Sequence, residues 1–206
     1  MSVLLGLMNR CKRLTAYVAS LPYRQALRHI GKNVVLSHGF AVNNPECVSI
    51  GDNVFFHEHC WLSMLVLNEQ RGSAAVPLQP VLRIGKNTYI GRFATFACMQ
   101  EISIGDDVMM ADRVFVGDCL HGFKSRELPI KDQYLFSTGP VRIGNGSWIG
   151  TNVSIMPNVS IGRNCVIGAN SVVTSDIPDF HIAAGAPARI LRAVDAPRTG
   201  MPATQS

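Results

Sequence analysis

The sequence predicts an all-β fold: a parallel β-helix of stacked six-residue units, with an N-terminal helical cap and a short C-terminal helix. Three observations carry this expectation. Aliphatic residues recur every six positions over long runs, glycine follows most of them, and two polar stretches interrupt the rhythm. A 3.6-residue helix cannot sustain a period of six, and simple strand alternation would not fix glycine after the lead residue.

The repeat is clearest from residue 143, where the chain reads IGNGSW IGTNVS IMPNVS IGRNCV IGANSV V. Ile143, Ile149, Ile155, Ile161, Ile167 and Val173 stand six apart, and Gly144, Gly150, Gly162 and Gly168 follow four of them. Upstream, Ile84, Ile90, Phe96 and Ile102 keep the spacing, and Ile104, Met110 and Val116 restart it two residues out of phase. Ile50, Phe56 and Leu62 keep it earlier, and IGKNVV at Ile30 is a first imperfect unit. Six residues suit one short strand and a turn. Three such faces close an eighteen-residue coil, and successive coils stack their aliphatics into one core.

The elements follow in order. Residues 1–29 form a helical segment, with an amphipathic helix around 3–20. Arg10, Lys12 and Arg13 break the apolar run too early for a membrane span, and they follow the apolar residues where a secretory signal would have them first. Packing as a cap on the coils is the preferred reading, with peripheral membrane contact through this helix as the second. Residues 30–174 form the β-helix, with loops at 65–81 and 117–140. Loops extruded from a regular scaffold commonly carry function. Residues 175–206 form a C-terminal cap and flexible tail, in which Pro178 and Pro187 interrupt strand pairing and the end forms the short helix.

The net charge of +5 gathers at the chain ends, from Arg10 to Lys32 and from Arg189 to Arg198, with no nucleic-acid-binding signature. Nucleic acid is therefore not an expected partner, and a phosphate-bearing small ligand makes better use of a few arginines. Six cysteines with no CxxC spacing point to reduced thiols and a cytoplasmic protein, with the inner face of the membrane as an alternative location.

The repeats, the His-Gly loop VGDCLHGF, the stretch VRIGNGSWIGTNVSIMPNVSIG and the run AAGAPARILR together resemble the hexapeptide-repeat acyltransferases over residues 30–194. Closest in look are the O-acetyltransferases of surface polysaccharide and O-antigen biosynthesis. The resemblance implies a left-handed parallel β-helix, a homotrimer, acetyl-CoA as co-substrate and a carbohydrate acceptor. It makes His121 the catalytic general base, since an acceptor hydroxyl needs its proton removed as it attacks a thioester. Relatives often carry DHNHG where this chain has Asp118-Cys119-Leu120-His121-Gly122, so Cys119 replaces a first histidine.

By position, the resemblance gives Thr151 an oxyanion contact to the thioester through its backbone amide. Trp148 and Ala169 fall along the pantetheine arm, Thr174 and Ser175 flank the adenosine end, and Arg189 and Arg192 meet the CoA phosphates. Ser175 stands where relatives commonly have lysine. Asp118, His57, His59 and Glu101 are candidates on the acceptor side, each with a plainer reading as turn cap, strand edge or surface charge. Cys98 and Met99 replace the acids that a galactoside acceptor requires.

Other readings remain open at the level of sequence. The same base serves N-acetylation of an amino sugar, or a small-molecule or xenobiotic acceptor. Cys119 could act as an acylated nucleophile. A zinc enzyme needs three converging histidines, for which His57 and His59 lack a matching partner after His121, so no metal is expected. A non-catalytic trimeric scaffold is the alternative of another class.

Overall fold

The computed structural model describes residues 14–15, 17–18, 20–66 and 80–194. Its strands are two to six residues long and wind into a triangular prism with three parallel sheets. The first face stacks His29–Ile30, Val48–Ile50, Val81–Ile84, Glu101–Ile104, Val141–Ile143 and Ser160–Ile161. The second stacks Val35–Leu36, Phe55–Phe56, Tyr89–Ile90, Met109–Met110, Trp148–Ile149 and Val166–Ile167. The third stacks Ala41–Asn43, Trp61–Met64, Thr95–Cys98, Phe115–Gly117, Ser154–Ile155 and Val172–Val173.

Register explains the period. Ile50, Ile84, Ile104, Ile143 and Ile161 align on successive coils of the first face, all buried. Phe56, Ile90, Met110, Ile149 and Ile167 do the same on the second. Each such side chain contributes about 1.5–3 kcal/mol by leaving water. The glycine after the lead aliphatic is required by close approach: a Cβ on Gly144 would stand 2.6 Å from the Arg163 backbone nitrogen of the next coil.

The three edges of the prism differ. At the first corner, between the first and second faces, Asn33, Asn53, Asn87, Asp107 and Asn164 have φ of 50–58°. Asparagine tolerates the left-handed region, and here its amides also bond along the axis, Asn33 to Asn53 and Asn53 to Asn87 at 3.0 Å. The second corner turns through His59, Phe93, Arg113, Asn152 and Asn170, also at positive φ. The third corner, between the third face and the next coil, is where extra chain leaves. The 3₁₀ turn Pro45–Cys47, the segment between Leu65 and Pro80, and the loop from Asp118 to Pro140 all emerge there.

The restart two residues out of phase has a physical cause. Ile84 and Ile104 are partners, so this coil holds 20 residues where the one from Ile143 to Ile161 holds 18. Met99 and Gln100 are the extra pair at the third corner, and Asp118 ties them down.

At the N-terminal end, residues 20–26 are helical and lie on the first coil through Tyr23, whose ring meets Phe40 edge-on at 5.3 Å. Most of the helix expected at 3–20 lies outside the described residues, as do 67–79 of the first loop and the tail from 195. The C-terminal expectation is corrected. The anticipated short helix is an antiparallel hairpin, His181–Gly185 with Ala188–Ala193, turning at a cis Ala186–Pro187 bond. Its first strand continues the second face in parallel with Val166–Ile167, so the solenoid extends past residue 174. Proline sits in the turn, where its missing N–H is not needed for pairing.

Candidate active site

His121 lies on the loop that leaves the third corner after the fourth coil. The strand Leu120–His121 pairs antiparallel with Leu135–Phe136, so the base of the loop is a hairpin. Gly122 donates to the Tyr134 carbonyl at 2.7 Å, and a Cβ on Gly122 would stand 2.9 Å from that oxygen, so only glycine fits. Gln133 braces the tip: its amide donates to the Ser125 and Leu128 carbonyls at 3.1 and 3.0 Å. The loop borders a half-open cleft of about 430 Å³ between Lys124, Leu128, Tyr134 and Phe136. The His121 side chain is exposed, with no hydrogen-bond or ion-pair partner among the described residues.

Asp118 anchors the loop. It is fully buried, and its carboxylate accepts the N–H groups of Met99, Gln100 and Glu101 at 2.7, 2.8 and 2.7 Å. Burial pushes its pKa above the ordinary aspartate value, against the three N–H donors, which favour the charged form. Both oxygens are thus engaged inward. Cys119 is half-buried, and burial, then the nearby Asp118 carboxylate, push its thiol up to about 11. Cys47, Cys60, Cys98, Cys119 and Cys165 are all free thiols.

The remaining candidates fall on two other edges. Trp148 projects outward from the second face, 47% exposed, in register with Met109 and Val166. The column continues to Ile182, which pairs with Arg192, while Ala184 pairs with Arg189. Directly opposed residues share a face, so both arginines stand on the outer side that Trp148 occupies. Thr151 and Ala169 lie at the adjoining second corner, one coil apart, where Asn170 donates to the Thr151 carbonyl at 2.8 Å.

A neighbouring turn shows how such a donor can be capped, although the Asp112 N–H at the equivalent position is, like that of Thr151, used by no hydrogen bond among the described residues. At the same corner, the Arg92 N–H is capped by the Asp112 carboxylate of the following coil at 2.8 Å. Below Thr151 the corresponding residue is Ala169, which carries no acceptor. Among the described residues no hydrogen bond uses the Thr151 N–H or the Ala169 N–H. Thr151 and Ala169 are both exposed residues, so this corner leaves two backbone donors without a protein partner among the described residues.

Thr174 and Ser175 are exposed at the third corner of the sixth coil, on the edge from which the His121 loop departs. The third face separates them from Arg189 and Arg192. Glu101 sits on the first face and is paired with Arg83 at 2.9 Å and Arg142 at 3.2 Å. His59 turns the second corner, stacked on Phe93 at 5.3 Å with Arg113 over the far ring. His57 bonds Glu58 and Tyr89 at the same corner. One chain thus brings together Trp148, Thr151, Ala169, Arg189 and Arg192, and separately His121, Thr174 and Ser175. It does not unite the two groups, nor bring His57, His59 or Glu101 to His121.

Residues 140–175 match the family described as bacterial transferase hexapeptide (six repeats). Over those residues the chain carries the hexapeptide repeat that this family is named for. The chain is 43% identical over 111 residues to a probable acetyltransferase of Mycobacterium tuberculosis, a match spanning 54% of this chain and 37% of that protein. It is 32% identical over 118 residues to the putative lipopolysaccharide biosynthesis O-acetyl transferase WbbJ of Escherichia coli, over 54% of this chain and 60% of that one. The matches thus span about a third to three fifths of those relatives' lengths. AntD, an N-acyltransferase of Bacillus cereus solved with dTDP and 3-hydroxybutyryl-CoA, superposes with a TM-score of 0.68 at 25% identity, covering 82% of this chain and 85% of that one.

Sequence reasoning did not find Tyr89 or Glu58. Glu58 adjoins His57 in the sequence, whereas Tyr89 stands beside it only because Phe56 and Ile90 are coil partners, and the 34-residue separation conceals that register. Among the described residues no group of three or more histidine, cysteine or acidic side chains is placed to hold a metal, and no helix is long and apolar enough to cross a membrane.

Proposed function

We propose that this chain is an acetyl-CoA-dependent acetyltransferase that transfers the acetyl group to a hydroxyl of a carbohydrate. In this reading the coil is left-handed, the protein is a homotrimer, and each site forms between neighbouring copies. The observation that carries it is the division of the candidate residues between two edges. The third corner bears His121, Thr174 and Ser175; the second face and corner bear Trp148, the free Thr151 and Ala169 amides, Arg189 and Arg192. Each edge holds half a site, and a second copy joins them.

The chemistry follows from those halves. His121 takes the proton of the acceptor hydroxyl as its oxygen attacks the thioester carbon. The Thr151 N–H donates to the oxyanion that develops, and the CoA thiolate leaves as the acetyl ester forms. Arg189, which is exposed, and Arg192, which is half-buried, suit the phosphates at the far end of CoA. Asp118 acts on the loop, by fixing its departure from the coil. The likeness to WbbJ favours an O-linked product. The likeness to AntD, which covers more of the chain, supports a second reading with an amino-sugar acceptor. Hydroxylamine separates the two, since it cleaves an ester product and leaves an amide intact.

The test is His121→Ala, assayed by release of free CoA thiol. Turnover should fall by about 10²–10⁴-fold while sedimentation still reports three chains. Turnover close to that of the unmodified protein would overturn the assignment.

A further inference from the structure

A second histidine is held more rigidly than His121. His57 Nδ1 lies 3.2 Å from Glu58 Oε2, and His57 Nε2 lies 2.7 Å from the Tyr89 hydroxyl. The ring packs on Phe55 at 4.7 Å and edge-on to Tyr89 at 5.0 Å, while Phe55 and Tyr89 stack 12° from parallel. None of these contacts buries a core residue: Tyr89 is 42% exposed and projects outward in register with Met109, itself in register with Trp148. With parallel strands about 4.8 Å apart, Tyr89 stands roughly 10 Å along the axis from Trp148.

With the imidazole neutral, counting donors and acceptors orders the protons. The Glu58 carboxylate has only lone pairs to offer, so it takes the Nδ1 hydrogen of His57. Nε2 is then an acceptor and receives the Tyr89 O–H. That proton is turned inward, and the lone pairs of the Tyr89 oxygen face solvent, strengthened as acceptors by the bond the hydroxyl donates. An apolar, partly aromatic surface with one oriented polar group is suited to a sugar ring, whose C–H face needs flat apolar contact and whose hydroxyls need directed partners.

We infer that Tyr89 is a specificity-determining contact for a pyranose acceptor, taking a hydrogen bond from one of its hydroxyls while the ring lies on Met109 toward Trp148. His57 and Glu58 are positioning residues that act through Tyr89. This rests on the acetyltransferase reading above, in which Trp148 lies along the pantetheine arm and Thr151 meets the thioester.

The experiment uses the intact chain with acetyl-CoA and three probes: the methyl pyranosides of glucose, galactose and rhamnose. Free CoA is measured against pyranoside concentration. Tyr89→Phe removes the oxygen alone and should raise the pyranoside KM about five- to tenfold, with the acetyl-CoA KM within about twofold. His57→Ala should match it, and His57→Gln, which can offer an amide oxygen to Tyr89, should recover part of the loss. An unchanged pyranoside KM in Tyr89→Phe overturns the inference. So does a changed sedimentation coefficient with unchanged KM, which would mean that a second copy of the chain covers this surface. Acetyl-CoA binding by calorimetry without turnover of any pyranoside overturns it and leaves the acetyltransferase reading standing. Absence of acetyl-CoA binding overturns both.

Discussion

Replacing Asp118 with alanine removes the acceptor for three backbone N–H groups at once. Met99, Gln100 and Glu101 donate to it at 2.7, 2.8 and 2.7 Å. Met99 is 5% exposed, so its N–H has no access to water, and an orphaned buried donor costs about 1–3 kcal/mol. Gln100 and Glu101 are half-buried, and water can replace part of what they lose, which leaves about 0.5–1.5 kcal/mol each. Against this stands the cost of burying the carboxylate, which raises the Asp118 pKa and is relieved in the variant. The net destabilisation is about 3 kcal/mol. For a chain of this length about 2–4 °C of Tm accompanies each kcal/mol, so the melting temperature should fall by about 6–12 °C. Calorimetry at fixed protein concentration reads this directly. A fall of less than about 2 °C would mean that the three N–H groups find other partners, and the anchoring argument would be wrong.

Two further outcomes follow from the same geometry. Ala169→Asp should place a carboxylate below the Thr151 N–H as Asp112 does below Arg92, capping that donor. Tm should hold or rise while kcat/KM for acetyl-CoA falls about 10²–10³-fold, and unchanged kinetics would remove Thr151 from the site. With its thiol pushed up to about 11, Cys119 is the neutral form below that value and gains thiolate only as pH rises toward it, so about 0.1% is ionised at pH 8. Cys119→Ala should therefore keep turnover within about twofold and show no loss of a pH-dependent limb below pH 9, whereas a collapse of activity would restore the acyl-enzyme route.

Much of the scaffold was legible because its determinants are local. A lead aliphatic, a glycine that lets the next coil approach and a residue tolerant of positive φ recur within six positions, and each acts on its immediate neighbours. The C-terminal hairpin was not legible in the same way. ARILRA has helical propensity and the two prolines suggest a break, yet the open edge at Val166–Ile167 offers unpaired backbone groups, and pairing there outweighs local preference. Asp118 was read as either a turn cap or an acceptor contact, because nothing in DCLHG says that two extra residues at positions 99 and 100 would present three N–H groups to it. The Glu58–His57–Tyr89 chain was hidden for a related reason. His57 and Glu58 are adjacent in the chain, but Tyr89 joins them from the next coil, 32 residues on.

The unequal edges also account for where chemistry can reside on such a prism. The first corner is closed by side-chain amides bonding along the axis, so an insertion there would break a ladder that spans coils. The second corner is tight, with bulky residues held at positive φ by stacking, and any free N–H it leaves is a fixed donor on a rigid edge. Only the third corner has exchanged regular turns for extra chain, and both long excursions leave from it. Acyl transfer needs a rigid donor array for the thioester and a reaching base for the acceptor. Those demands cannot be met on one edge, because rigidity at a corner and extruded chain at a corner exclude each other. In the proposed reading, a chain that places one on each edge supplies its neighbour with what it lacks, and closing the arrangement among identical copies needs no residue beyond those already present.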